Sequence, residues 1–176
     1  IEFMATPFDR ESLKTLIKFK VKKIKVASSD LNNFELLDLI QKTKKPIILS
    51  SGLSSINEIK KSLIFLNKKG LKKNKTTLLH CTTSYPTPDK EINLRVLQSF
   101  KKLGVKFGYS DHTIGNEAAL GAVALGATVI EKHFTLNKNM KGPDHKASAD
   151  PKQFKELVKS IRVMEMALGE EQKKIT

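Results

Sequence analysis

Cysteine is nearly absent from this chain: Cys81 stands alone in 176 residues. That excludes an internal disulfide framework and a zinc site built on several cysteines. Aromatic residues make up only 6% and form no stacking motif, which leaves nucleic-acid recognition without its usual platforms. No apolar run approaches the roughly 18 residues needed to span a bilayer. No charged-then-apolar leader opens the sequence, so a cytoplasmic location is the expectation. A Gly-rich dinucleotide fingerprint and a Walker loop are both missing, which removes the commonest nucleotide sites.

What is present is ordinary for a folded domain, with 39% hydrophobic and 28% charged residues. The length is enough for one domain with a substantial core. The net charge of +14 leaves two readings open. One is a basic module for nucleic acid or another anion. The other is a lysine-rich background, and the lysines support it. They fall at polar helix positions such as Lys60, Lys61, Lys68, Lys69, Lys155 and Lys159 and form no single stripe.

Apolar runs that read as strands end near Thr6, Ser28, Ser50, Cys81, Ser110 and His133. Helical periodicity fills the gaps. Leu13, Leu16 and Ile17 make one apolar face, Phe34, Leu37 and Ile40 another, and Ile56, Ile59, Leu63 and Leu66 a third. An Ala-rich segment follows at 118–125. Phe154, Leu157, Val158, Ile161 and Met164 form the last face, with Pro151 near its start. Pro46-Ile47-Ile48-Leu49 and Thr128-Val129-Ile130 are continuous apolar runs, as buried parallel strands should be. Six βα units in series predict an α/β fold, either a barrel or a doubly wound sheet. Polar residues cluster just after the strands, which favours a (β/α)8 TIM barrel. Six strands make it incomplete: strands 3 to 8, with two units expected to be missing from the front.

The chemistry-bearing residues gather at those strand ends. His112, in Gly108-Tyr109-Ser110-Asp111-His112-Thr113, and His133, in Glu131-Lys132-His133-Phe134-Thr135, terminate successive strands. Singly, each could be a structural histidine. Together they suit an open divalent-metal site that leaves positions for substrate, and Mn²⁺, Zn²⁺ or Fe²⁺ would fit nitrogen ligands. Lys25 sits in mid-strand, where a cation either lies at a solvated edge or pairs with an anion. Thr6, Ser28, Ser50 and Ser110 put hydroxyls at four strand ends, suited to phosphate or carboxylate and equally to plain loop chemistry. His80 and Cys81 read as core, and His145 as a loop cap beside Asp144.

These segments, with Ala5-Thr6-Pro7-Phe8-Asp9, Lys25-Val26-Ala27-Ser28, Ile48-Leu49-Ser50-Ser51-Gly52, Leu79-His80-Cys81-Thr82 with Tyr85-Pro86, and Gly142-Pro143-Asp144-His145, resemble the N-acetylneuraminate (sialic acid) synthase family. The resemblance runs along essentially the whole chain. It implies a TIM barrel over residues 1–170, with 171–176 opening the linker to a C-terminal antifreeze-like domain, and a homodimer for the full-length protein. It implies condensation of phosphoenolpyruvate with N-acetylmannosamine or a related acylamino sugar aldehyde, with release of phosphate. His112 and His133 would hold the divalent metal, Mn²⁺ or Mg²⁺. Lys25, Thr6, Ser28, Ser50 and Ser110 would bind phosphoenolpyruvate, and Tyr85, Asp144 and Asp30 would lie near the sugar. Thr83 departs from the asparagine of some members, which opens a 2,4-diacetamido-6-deoxy acceptor as an alternative. The segments that the resemblance places outside this chain carry further active-site groups, so the chain alone is expected to be inactive. Two rivals stand: another phosphoenolpyruvate–aldose condensing barrel, and a basic nucleic-acid-binding module. Arg95 and Arg162 fall on expected helices, which weakens the first.

Overall fold

The computed structural model describes residues 1–172. Its strands are β1 (Ile24–Val26), β2 (Ile47–Ser50), β3 (Thr76–His80), β4 (Lys106–Asp111) and β5 (Ile130–Lys132). Its helices are α1 (Arg10–Lys18), α2 (Phe34–Lys42), α3 (Ile56–Lys68), α4 (Val96–Lys101), α5 (Glu117–Ala124) and α6 (Pro151–Leu168). All strand pairs are parallel and the spatial order follows the sequence, β1-β2-β3-β4-β5. A doubly wound sheet would reverse direction at a switch point; this sheet does not. It is part of a (β/α)8 barrel.

One contact measures the curl. On a flat sheet β1 and β5 would lie about 19 Å apart, four strand spacings. Yet Lys25 Nζ on β1 lies 3.4 Å from Glu131 Oε1 on β5. A lysine stem spans only about a third of that gap, so the sheet must bend round its C-terminal ends. Close approach helps the bend: a Cβ on Gly108 would run into the carbonyl oxygen of Val129.

The expected first strand, ending near Thr6, is not formed, and five strands replace the six. The reason is local. Pairing Thr6 with Lys25 in parallel needs two bonds, Lys25 N to Ala5 O and residue 7 N to Lys25 O. The first is present at 3.3 Å. Residue 7 is proline and has no N–H to give the second. The segment therefore lies along β1 without joining the ladder.

The core fills the space between sheet and helices. Ile24, Val26, Leu37, Ile40, Leu49 and Leu78 are fully buried, each worth roughly 1.5–3 kcal/mol relative to exposure. Helix starts follow the capping rules. Asp9 with Ser12, Ser55 with Glu58, and Asp150 with Gln153 form capping boxes, and Pro151 occupies the first turn of α6. Ile17, Phe34 and Ile56, expected on buried faces, are exposed; each lies in the first or last turn of its helix and overhangs the packed stripe. On α6 only Leu157 is buried, and Phe154 and Val158 remain exposed. Among the described residues no helix is long and apolar enough to cross a membrane. Of the expected linker, 173–176 lies outside the described residues.

Candidate active site

The C-terminal ends of the five strands surround a cleft of about 370 Å³. At two strand ends alternation sets the contribution. Residues two apart share a face, so Ser110 and His112 at the end of β4, and Glu131 and His133 at the end of β5, reach the cleft; Lys25 joins them from β1 and Ser28 from the turn that follows it. Ser50, Thr83 and Tyr85 complete the candidate lining. Asp111 and Lys132, at the intervening positions, lie on the opposite face.

Lys25 keeps 18% of its side chain exposed and pairs with Glu131, which resolves its two readings: it is a cleft cation with an anionic partner. Glu131 also accepts a 2.6 Å bond from Ser110 Oγ. Ser28 Oγ accepts from Gly52 N at 3.0 Å and lies 3.4 Å from Cys81 Sγ. Ser50 Oγ is buried without a hydrogen-bond partner among the described residues. Buried hydroxyls are normally satisfied, so an orphan in a cleft wall is a group waiting for an acceptor. Gly52 is required by proximity, because a Cβ there would sit 2.9 Å from both Cys81 Sγ and Thr83 Cγ2.

His112 is held from several sides. Its Nδ1 lies 2.6 Å from the Thr82 carbonyl oxygen, which can only accept, so Nδ1 carries the proton. Nε2 lies 3.2 Å from Ser110 Oγ, but the single Ser110 proton is directed to Glu131 at the shorter distance. The Nε2 lone pair is left free. Burial is the main force holding the His112 pKa below its ordinary value, with the Thr82 bond opposing and His133 assisting. A neutral ring with one free lone pair, tautomer fixed by a backbone carbonyl, is the form that ligates metals. The His133 ring stands edge-on to it, with centroids 5.5 Å apart. Tyr85 lies over His112 at 4.2 Å and near His133 at 5.4 Å. Burial raises the Tyr85 pKa, helped by Cys81, Asp144 and Glu131. Thr87 N donates to the His112 carbonyl oxygen at 2.9 Å. The donor set therefore fits a divalent ion that takes two imidazole nitrogens and leaves further positions open.

Beyond β5 the chain is pinned by a parallel bridge between Phe134 and Ala149. The enclosed loop returns Asp144 to His133, with Oδ2 3.9 Å from Nδ1. Asp144 is half exposed and stands beside the cleft, outside its immediate wall. Thr6 and Asp30 also lie outside that wall; Asp30 accepts from Ser29 and Asn33 in its own turn. His80 is core, as expected, bonding the Ile92 carbonyl at 2.7 Å. His145 bonds Thr135 Oγ1 at 2.7 Å and ties the loop. Glu131 escaped the sequence reading, although its place two residues before His133 on one strand was the available signal. Phe8, within the Ala5–Asp9 motif, and Leu53, just past the Ile48–Gly52 motif, add apolar walls that were not singled out from the sequence.

Comparison with known proteins agrees with this layout. A family model described as the NeuB family matches residues 1–173. The chain is 50% identical to the N,N'-diacetyllegionaminic acid synthase of Campylobacter jejuni, over 99% of this chain and 52% of that one. It is 39% identical to the human N-acetylneuraminate-9-phosphate synthase, over 99% of this chain and 48% of that one. The crystal structure of the N-acetylneuraminic acid synthetase of Leptospira borgpetersenii superposes with a TM-score of 0.93 at 37% identity, covering 100% of this chain and 61% of that one. The chain thus spans about half the length of the curated relatives it matches. Fold, strand-end site and relatives converge on one conclusion: the chain belongs to the NeuB family.

Proposed function

We propose that this chain is the barrel portion of a nonulosonic acid synthase that joins phosphoenolpyruvate to an acylamino sugar aldehyde. The observation that carries the reading is the meeting of Lys25, three serine hydroxyls and two histidines in one cleft at the strand ends. Lys25 and the Ser28, Ser50 and Ser110 hydroxyls bind the phosphate and carboxylate, which need cationic and hydroxyl donors. Thr6 contributes from the segment beside β1. His112 and His133 hold a divalent ion, Mn²⁺ or Mg²⁺. Bound there, the ion supplies Lewis-acid polarisation of the sugar aldehyde. The cleft residues hold the methylene carbon of phosphoenolpyruvate against that carbonyl carbon, where the enol π electrons form the new C–C bond and the carbonyl oxygen takes up the displaced electron pair and then a proton. Cationic charge at the carbon that carries the phosphate oxygen is met by water, and the C–O bond to phosphate then breaks. Glu131, which bonds both Lys25 and Ser110, is placed to orient that water or take its proton. Tyr85, Asp30 and Asp144 border the acceptor.

The acceptor is set in part by Thr83, which offers a hydroxyl and a methyl but no amide. That chemistry, and the 50% identity to a legionaminic-type synthase, favour a 2,4-diacetamido-6-deoxy sugar over N-acetylmannosamine. The reading carries a homodimeric full-length protein with a further domain after the barrel, in the cytoplasm, where Cys81 stays reduced.

The test is phosphate release from phosphoenolpyruvate by the full-length protein that contains this chain, run in ¹⁸O-water with each acceptor. The reading predicts acceptor-dependent release of phosphate that carries no ¹⁸O, because water adds at carbon and the C–O bond breaks. Labelled phosphate, or release without any acceptor, would sink it.

A further inference from the structure

Directly behind the two histidines lies an ion pair that the proposed chemistry does not touch. Asp111 immediately precedes His112 and Lys132 immediately precedes His133. The two are register partners across β4 and β5, and Lys132 Nζ lies 2.8 Å from Asp111 Oδ2. Their side chains are 0% and 4% exposed. Every polar group is satisfied. Lys132 gives its three ammonium protons to Asp111 Oδ2, Thr113 O at 2.7 Å and Gly115 O at 2.8 Å. Asp111 Oδ1 accepts from Thr113 N at 2.9 Å and Thr113 Oγ1 at 2.7 Å.

The position of the pair matters more than its strength. Pairing of β4 with β5 ends at Asp111–Lys132, so both histidines project just past the end of the ladder. β5 is three residues long, with β4 as its one neighbour in the sheet. Without another tie, its tip could slide or splay relative to β4. A fully hydrogen-bonded buried ion pair tolerates one geometry. Such pairs contribute little net stability but can fix a register. Strand alternation carries that register through to the opposite face, where His112 and His133 stand.

We propose that Asp111 and Lys132 are positioning residues that set the separation and orientation of the His112–His133 pair for a shared divalent ion. This rests on the reading of those histidines as metal ligands. It adds a buried ion pair, on the far face of the sheet, as the device that holds the ligands in place.

The experiment is Mn²⁺ titration of this chain followed by electron paramagnetic resonance of the free ion, with thermal unfolding measured in parallel. The variants are Asp111→Asn, Lys132→Met, the double Asp111→Asn/Lys132→Met, and His112→Ala as reference. Each single variant is expected to weaken Mn²⁺ binding by about 10–100-fold, the usual cost of losing an outer partner of a metal site. The double variant, freed of an unpaired buried charge, is expected to melt closer to the unaltered chain than either single variant while keeping the binding defect. Mn²⁺ affinity that recovers along with thermal stability in the double variant would reduce the pair to a structural role and overturn the proposal. Unchanged Mn²⁺ affinity in folded single variants would overturn it too, with His112→Ala still losing binding. If the unaltered chain and His112→Ala behave alike, the metal reading itself falls and the positioning role falls with it.

Discussion

Lys25 Nζ and Glu131 Oε1 stand 3.4 Å apart although their strands, β1 and β5, are the two outer strands of the sheet. The contact shows that the outer strand ends curl toward one another across the C-terminal mouth, and it places a cation and a carboxylate side by side in the cleft. The carboxylate also accepts the Ser110 hydroxyl hydrogen bond, so that hydroxyl does not donate to His112 Nε2, whose lone pair stays free. A chain of three contacts thus links the proposed phosphate-binding cation to the proposed metal ligand.

Lys25→Met should therefore weaken phosphoenolpyruvate binding by roughly 10–100-fold, the loss of one charge-assisted contact worth about 1.5–3 kcal/mol. Calorimetric titration of the folded variant checks it. Affinity within twofold of the unaltered chain would remove Lys25 from the anion site.

Gly52→Ala should destabilise the chain by about 1–3 kcal/mol, the usual cost of overpacking. The added Cβ would meet Cys81 Sγ, Thr83 Cγ2 and the Cys81 carbonyl oxygen, the last at 3.2 Å, and the backbone contact cannot be relieved by a rotamer change. Urea unfolding reads this directly. An unchanged midpoint would mean that the β2 and β3 ends do not approach as closely as described.

Stability should fall as pH drops below about 6.5. Burial holds the pKa of both His80 and His112 below their ordinary 6.5. For each, the unfolded chain takes up a proton first as pH falls, so the unfolded state gains. The contribution is complete above 6.5 and is lost between that value and the lower folded pKa. Denaturation midpoints should stay level from pH 7.5 to about 6.5 and fall from there to 5.5, and a flat profile across the whole range would contradict the buried, neutral state of these rings.

The chain should self-associate. Among the described residues β5 pairs only with β4, and beside it α6 leaves Phe154, Val158, Val163 and Met166 exposed. An unpaired edge next to an apolar face is a docking hazard. Sedimentation at rising concentration should show oligomers, and a compact monomer throughout would count against this exposed surface.

Much of this was legible in the amino acids. The continuous apolar runs at 46–49 and 128–130 announce buried parallel strands, and period-2 alternation puts Ser110 with His112 on one face. Polar residues clustered just after the strands favour a barrel over a doubly wound sheet, and the spatial strand order bears that out. Three things were not legible. Thr6 fails to join the ladder because Pro7 lacks one N–H, a matter of register that needs the partner strand. Glu131 reads as an ordinary strand-end acid until Lys25 is seen across the mouth. The Asp111–Lys132 pair looks like two solvated charges, because burial depends on the loop from Thr113 to Gly115 folding over the ammonium group. Faces of Phe34 and Ile56 were overread for a related reason: helical periodicity marks a stripe, but the first turn overhangs what the stripe packs on.

The most direct test is calorimetric titration of phosphoenolpyruvate, with Mn²⁺ present, into this chain and into His112→Ala, each first shown to be folded. A preformed half-site predicts measurable Mn²⁺-dependent binding to the unaltered chain and its loss in the variant. No binding to a folded chain, or equal binding to both, would contradict a site assembled by these strand ends around His112.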